Sequence, residues 1–273
     1  MNIEDTLKQY FERFNPQWNL IENLYYFQET VEKEVPGWFY VYDHAIFHCV
    51  LNTMQHDVSG DICEIGVANG KSAIALSNYK SSSEKLYLYD IFLEEDRIIA
   101  ENNIKRFGTF ENIDWRLGDT TLLTAKTLGI DTSLRFLHID GSHEHTAVYS
   151  DLCVFGDKMA DGGIIVMDDF NDYEYPGVKS GTMKFLLENP KWMMFAIGQN
   201  KAYLCKQSHY DRYINALITC MENCDVNAVR FTPALRDVND HLILLSCSRE
   251  TWSYQRIRNT LYSSYAALRL KNN

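Results

Sequence analysis

Between Gly60 and about Lys206 the chain alternates short apolar runs with amphipathic stretches, the pattern of a parallel sheet covered by helices. The predicted strands are Asp61–Ile65, Lys85–Asp90, Ile113–Leu117, Leu134–Asp140 and Gly163–Asp168. A helix is expected around Gly177–Leu187. Two further apolar runs, 192–197 and 201–206, flank Gly198-Gln-Asn200, which is a hairpin signal. The expected fold class is therefore α/β, a Rossmann-like doubly wound, mostly parallel sheet with an antiparallel edge hairpin. Residues 1–57 read as a helical N-terminal extension, 58–207 as the sheet domain and 208–273 as an α/β C-terminal extension. That extension carries a helix near His209–Cys224, an apolar stretch at His241–Cys247 and a last helix from about Thr251.

Two of the strands stop abruptly on carboxylates: Phe136-Leu-His-Ile-Asp140-Gly-Ser-His143 and Gly163-Ile-Ile-Val-Met-Asp168-Asp169. Acids placed where a buried strand leaves the sheet lie in the crevice where open α/β folds bind ligands. If the two strands are neighbours, roughly 4.8 Å apart, Asp140, Asp168 and Asp169 converge. Three such carboxylates repel one another unless protons or a cation intervene, and a divalent metal is the simplest answer.

Composition narrows the partners. The net charge of −11 argues against a nucleic-acid or anionic-membrane surface, since phosphate binding favours a basic stripe. No apolar run approaches the ~20 residues of a membrane span, and Met1-Asn-Ile-Glu-Asp lacks a signal-peptide start. The expectation is a cytoplasmic protein, with a homo-oligomer left open. The seven cysteines contain no CxxC pair and read as structural thiols. His44 and His48 have metal-like spacing but read as a satisfied or exposed pair.

The first βα turn is Cys63-Glu64-Ile65-Gly66-Val67-Ala68-Asn69-Gly70-Lys71-Ser72. Its glycines permit a sharp turn and a close ligand approach. Ala68 breaks the dinucleotide spacing, and Glu64 suits a cationic ligand better than a phosphate, which makes an NAD-dependent oxidoreductase the weakest reading. Asp90 ends the second strand, where an acid suits a ribose diol, and Phe92 follows as a packing surface for an adenine. Asp119 and Thr120 follow the third strand, with Asp119 placed to accept from an adenine amino group.

With these residues in view, the chain resembles class I S-adenosylmethionine-dependent methyltransferases over about residues 58 to 206. Glu64-Ile-Gly66 matches the first motif and Asp90 the second. Ile139-Asp140-Gly-Ser-His143 and Gly162-Gly163-Ile-Ile-Val-Met-Asp168-Asp169 are similar to the metal-dependent O-methyltransferases of macrolide sugars, the mycinamicin and macrocin type. The resemblance implies S-adenosylmethionine held by Glu64, Gly66, Asn69, Gly70, Ser72, Asp90, Phe92, Asp119 and Thr120. It implies Mg²⁺ on Asp140, Asp168 and Asp169, although some members have Glu at the position of Asp168. His143 matches the position of a proposed general base; His145 reads as structural or solvated.

The implied chemistry is methyl transfer to a hydroxyl of a small-molecule acceptor, a sugar or other natural product, with a diol as the natural metal ligand. A related-fold hydroxylase, an N-methyltransferase and a non-catalytic adenosyl-ligand binder are the alternatives. Phe170–Val178 is either a lid or a packed connection, and Trp38-Phe-Tyr40-Val-Tyr42 either lines the acceptor pocket or packs in the core.

Overall fold

Each predicted strand forms where the apolar runs place it. In the computed structural model the described residues are 14–15, 19–222, 229–233 and 241–245. The strands are β1 Asp61–Ile65, β2 Leu86–Asp90, β3 Ile113–Leu117, β4 Leu134–Ile139, β5 Met159–Met167, β6 Trp192–Gly198, β7 Lys201–Lys206, β8 Val229–Pro233 and β9 His241–Leu245. They form one sheet in the order β3-β2-β1-β4-β5-β7-β6-β9-β8. β1 to β5 run parallel, β7 runs antiparallel to both β5 and β6, and Gln199-Asn200 is the expected tight turn. The C-terminal extension continues the sheet: β9 pairs parallel with β6, and β8 antiparallel with β9. The expected helix from Thr251 lies outside the described residues.

The helices are α1 Leu20–Tyr26, α2 Val41–Met54, α3 Lys71–Tyr79, α4 Glu94–Phe107, α5 His145–Gly156, α6 Pro176–Glu188 and α7 Tyr210–Glu222. Asn19 caps α1 by accepting from the Glu22 N–H at 3.0 Å, and the Glu22 carboxylate accepts the Asn19 N–H in return. α2 is apolar nearly all round and is buried accordingly, packing its Phe47 on Phe136 of β4. The N-terminal segment thus covers one face of the sheet together with α3, α4 and α7, while α5 and α6 contribute to the core on the other.

Strand alternation sorts the side chains between these two faces. Ile62, Phe136, Ile164 and Val166 point to the α2 side, and Ile65, Leu137, Ile139, Ile165 and Met167 to the α5 side. Glu64 and His138, register partners on β1 and β4, share the α2 side. Chain order reverses between β1 and β4, which opens a crevice at the carboxyl ends of these strands.

The cysteine expectation needs one correction. Cys63, Cys153 and Cys205 are free thiols, but Cys49 of α2 and Cys220 of α7 form a disulfide, with Cα atoms 6.1 Å apart. The two helices pack directly on each other, a contact that sequence spacing does not reveal. His48 is satisfied as expected, but His44 is buried with neither ring nitrogen hydrogen-bonded. Burial lowers both, to about 3 and about 4, so each is neutral. His44 stacks on Phe27, while His48 bonds the Tyr79 hydroxyl and the Asn52 amide. Among the described residues no helix is long and apolar enough to cross a membrane.

Candidate active site

The glycine turn after β1 lies against the end of β4. Gly66 has φ +81°, and a Cβ on it would sit 1.8 Å from the Asp140 carbonyl oxygen. Its N–H donates to Tyr89 O at 2.9 Å, locking the turn to β2. Ala68 is held at φ 44°, a conformation that costs an alanine about 1–2 kcal/mol. Asp90 supports it: one carboxylate oxygen accepts the N–H groups of Val67 and Ala68 at 2.6 and 3.0 Å. Gly70, at φ +79°, turns the chain into α3 and brings the buried Ser72 to that helix's first turn. The half-buried Asn69 accepts from the Asn103 amide through its carbonyl at 2.9 Å.

Phe92 departs from its expected position. Its ring is 8% exposed and meets Trp115 edge-on at 5.8 Å, so it is a core residue rather than an open stacking surface. Ile91 and Leu93, 76% and 71% exposed, flank it and present the apolar surface at the end of β2. Asp119 is exposed, and one oxygen caps the turn Thr120–Leu122 by accepting the Thr121 N–H and hydroxyl at 2.9 and 2.6 Å. Those bonds pull its carboxyl below the ordinary value.

Asp151 of α5 is an acid that the motifs do not announce. It is buried, and neither carboxylate oxygen has a hydrogen-bond partner. Burial pushes its carboxyl up to about 7; the nearby Thr120 side chain pulls the other way and Asp119 adds to the rise. Because the folded form holds the proton more tightly than the unfolded one, stability falls as pH climbs from the ordinary 3.8 to about 7. Asp151→Asn should therefore gain on the wild type above pH 7, by about 1–3 kcal/mol, and lose that advantage near pH 4. Thermal melts at the two pH values check this, and an equal shift at both would contradict it.

The acids at the ends of β4 and β5 fall into two overlapping groups. Asp169 has φ 54°, and that left-handed turn separates it from Asp168. Ligand-capable atoms of Asp140, His143 and Asp169 lie within 4.8 Å of one another, as do those of His138, Asp140 and Asp168. Asp140 is common to both groups. Burial, Asp168 and Asp169 raise its carboxyl well above the ordinary range, against the pull of His138 and Lys201.

In the first group, Asp169 accepts from the Asn200 amide at 2.9 Å and faces His143 Nε2 at 3.0 Å. The His143 ring stacks on Tyr175, with centroids 3.9 Å apart. Tyr175 immediately precedes α6, so the Phe170–Val178 segment closes over the site through this ring while Phe170 packs in the core. His145 turns away to Ser180 at 2.8 Å, as expected.

The second group belongs to a buried chain of charges that sequence reading missed. Glu64 is fully buried and faces His138 Nδ1 at 2.8 Å; the other His138 nitrogen is 3.7 Å from Asp168. Burial works against charging His138, but Asp168 and Glu64 more than offset it and raise the imidazole to about 9. Asp168 makes an ion pair with the fully buried Lys201. Burial alone would raise the Asp168 carboxyl, but Lys201 and His138 hold it far below the carboxylate range. Asp43 of α2 completes the set; burial raises it to about 7, with Lys201 opposing. Phe39 covers Lys201, its ring centroid 5.6 Å from the ammonium, whereas Trp38 beside it is exposed. The available signal was small: a lone His inside Leu134–Ile139, a lone Asp in an apolar helix, and a Lys just after a hairpin turn.

A glycine turn clamped by a β2 acid, beside a cluster of acids and a histidine at the switch point of this sheet, is the arrangement of the class I methyltransferase fold. Consistent with that, residues 63–170 match the family model described as a methyltransferase domain. No curated protein matches the chain in sequence. Among solved structures, cofactor-bound Rv0187 from MTB superposes with a TM-score of 0.53 at 16% identity, covering 75% of this chain and 96% of that one. A proposed O-methyltransferase from Klebsiella pneumoniae gives 0.52 at 15% identity, covering 74% and 94%. The calicheamicin methyltransferase CalS11 gives 0.52 at 13% identity, covering 67% and 91%. At these identities the likeness is one of fold.

Proposed function

We propose that the protein is an S-adenosylmethionine-dependent O-methyltransferase acting on a hydroxyl of a small molecule, with a diol-bearing sugar or other natural product as acceptor. The observation that carries this reading is the meeting of the Gly66 turn with Asp140. It brings the cofactor cradle of β1 and β2 against the acid and histidine cluster of β4 and β5. In this reading residues 58–207 form the cofactor domain, and Phe39 and Trp38 of the N-terminal segment border the acceptor side. Asp90 serves the ribose with the oxygen not committed to the turn. Asp119 serves the adenine amino group. Ile91 and Leu93 cover the adenine in place of Phe92.

The donor set fits a hard divalent cation such as Mg²⁺: Asp140 and Asp169 supply carboxylate oxygens, and each oxygen keeps a second lone pair beside its protein contacts. When bound, such a cation lowers the pKa of a coordinated hydroxyl and fixes the direction of its oxygen. His143 takes the acceptor proton. Asp169 holds one ring nitrogen and Tyr175 holds the ring plane, which leaves the other nitrogen free for that proton. The acceptor oxygen forms its bond to the methyl carbon as the carbon–sulfur bond breaks, and the electron pair returns to sulfur. Alignment of oxygen, methyl and sulfur supplies much of the remaining acceleration.

Calorimetry with S-adenosylhomocysteine tests the cofactor half of this reading. Asp90→Ala removes both the turn clamp and the ribose acceptor, and should weaken binding about 10- to 100-fold. An unchanged affinity would remove Asp90 from the site. Product mass tests the reaction: a gain of one CH₂ on oxygen supports it, and a gain of one oxygen atom would assign a hydroxylase instead.

A further inference from the structure

We propose that Lys201 is the resident counter-ion of Asp168, so that the site's divalent cation is held through Asp140 and Asp169 and Asp168 is not among its ligands. The inference rests on the metal-assisted reading above. It is set by strand register: β7 runs antiparallel to β5 with Ala202 opposite Met167, which brings Lys201 level with Asp168 at the end of the sheet. Lys201 has no exposed surface, and its ammonium is ion-paired with Asp168 Oδ2. A lysine buried to this degree needs a carboxylate partner.

Both oxygens of Asp168 are engaged by the protein. Oδ1 accepts the Asp169 N–H at 2.8 Å, and Oδ2 faces Lys201 and, at 3.7 Å, His138. A dication brought onto Asp168 would meet the Lys201 ammonium at short range. Lys201 makes its direct ion pair with Asp168 alone among the described residues; it and His138 act on Asp140 from farther off, and Asp169 pairs with His143. Lys201 therefore divides the acids into a structural one and two ligands. Among roughly six coordination positions on Mg²⁺, two carboxylates leave more room for acceptor oxygens than three would.

Mn²⁺ titration of the full-length protein, followed by water-proton relaxation, tests this directly, using wild type, Asp168→Asn, Lys201→Met and the double variant. Asp168→Asn should keep the wild-type Mn²⁺ affinity within about twofold, as an independent site does. Lys201→Met releases Asp168 to the metal and should tighten Mn²⁺ about tenfold or more. The double variant should return to wild-type affinity; it leaves no unpaired buried charge at this position, so it keeps the series readable if a single variant fails to fold. A loss of about 10- to 100-fold in Asp168→Asn or in the double variant would make Asp168 a ligand and overturn the proposal. So would unchanged affinity in folded Lys201→Met. Calorimetry with S-adenosylhomocysteine on the same samples separates the two readings: wild type that fails to bind it refutes the methyltransferase function, while the Mn²⁺ series judges Lys201.

Discussion

Gly66→Ala should abolish S-adenosylhomocysteine binding and destabilise the protein by about 2–5 kcal/mol, from the left-handed backbone and the forced overlap together. The added Cβ would sit 1.8 Å from the Asp140 carbonyl oxygen and 2.4 Å from its carbonyl carbon. Both are backbone atoms, so no side-chain rotation relieves the clash. The Asp140 N–H is also bonded to Ile65 O at 2.7 Å, which fixes the two turns against each other. Any relief must push the β1 turn away from β4, and that movement separates the cofactor cradle from the acid cluster. Calorimetry and thermal melts read the two effects; normal cofactor binding in the variant would show that the turns are not coupled as described.

His143→Ala should lower kcat about 100- to 10,000-fold, the usual contribution of a positioned general base, and leave S-adenosylhomocysteine affinity unchanged. The split matters because His143 touches Asp169 and Tyr175 but not the glycine turn. Loss of cofactor affinity would assign the ring a structural part in closing the Phe170–Val178 segment. A kcat within a few fold of wild type would assign the proton to another group. Tyr175→Phe keeps the stacking ring, and should retain most of the activity that His143→Ala loses.

The fold was legible because its determinants are local. Apolar runs of strand length, glycine turns and the Gln199-Asn200 hairpin placed β1 to β7, and the acids at strand ends followed from where those runs stop. What escaped depends on register and packing between distant segments. Asp168 and Lys201 are 33 residues apart, and nothing in either segment announces that β7 will run antiparallel beside β5 with this offset. The sequence reading set a divalent metal among the clustered carboxylates; the structure sets the Lys201 ammonium against Asp168. Phe92, expected as a packing surface for an adenine, is instead held by the core. The core continues past Asp90, and Trp115 on the neighbouring strand takes the ring. Asp43 and His138 were missed because a single polar residue in an apolar stretch gives no hint of its partners.

The Cys49–Cys220 bond joins positions 171 residues apart, and every strand from β1 to β7 lies between them. Strands β1 to β7 therefore lie within a closed covalent ring, with β8 and β9 beyond it in the chain. In a chain-entropy view a ring of this length restricts the unfolded ensemble by about 5 kcal/mol. A protease cut inside the ring, for instance at the exposed Tyr173, leaves the fragments covalently tethered until a reductant opens the bond. Apparent resistance to nicking on a non-reducing gel thus measures the tether rather than the loops.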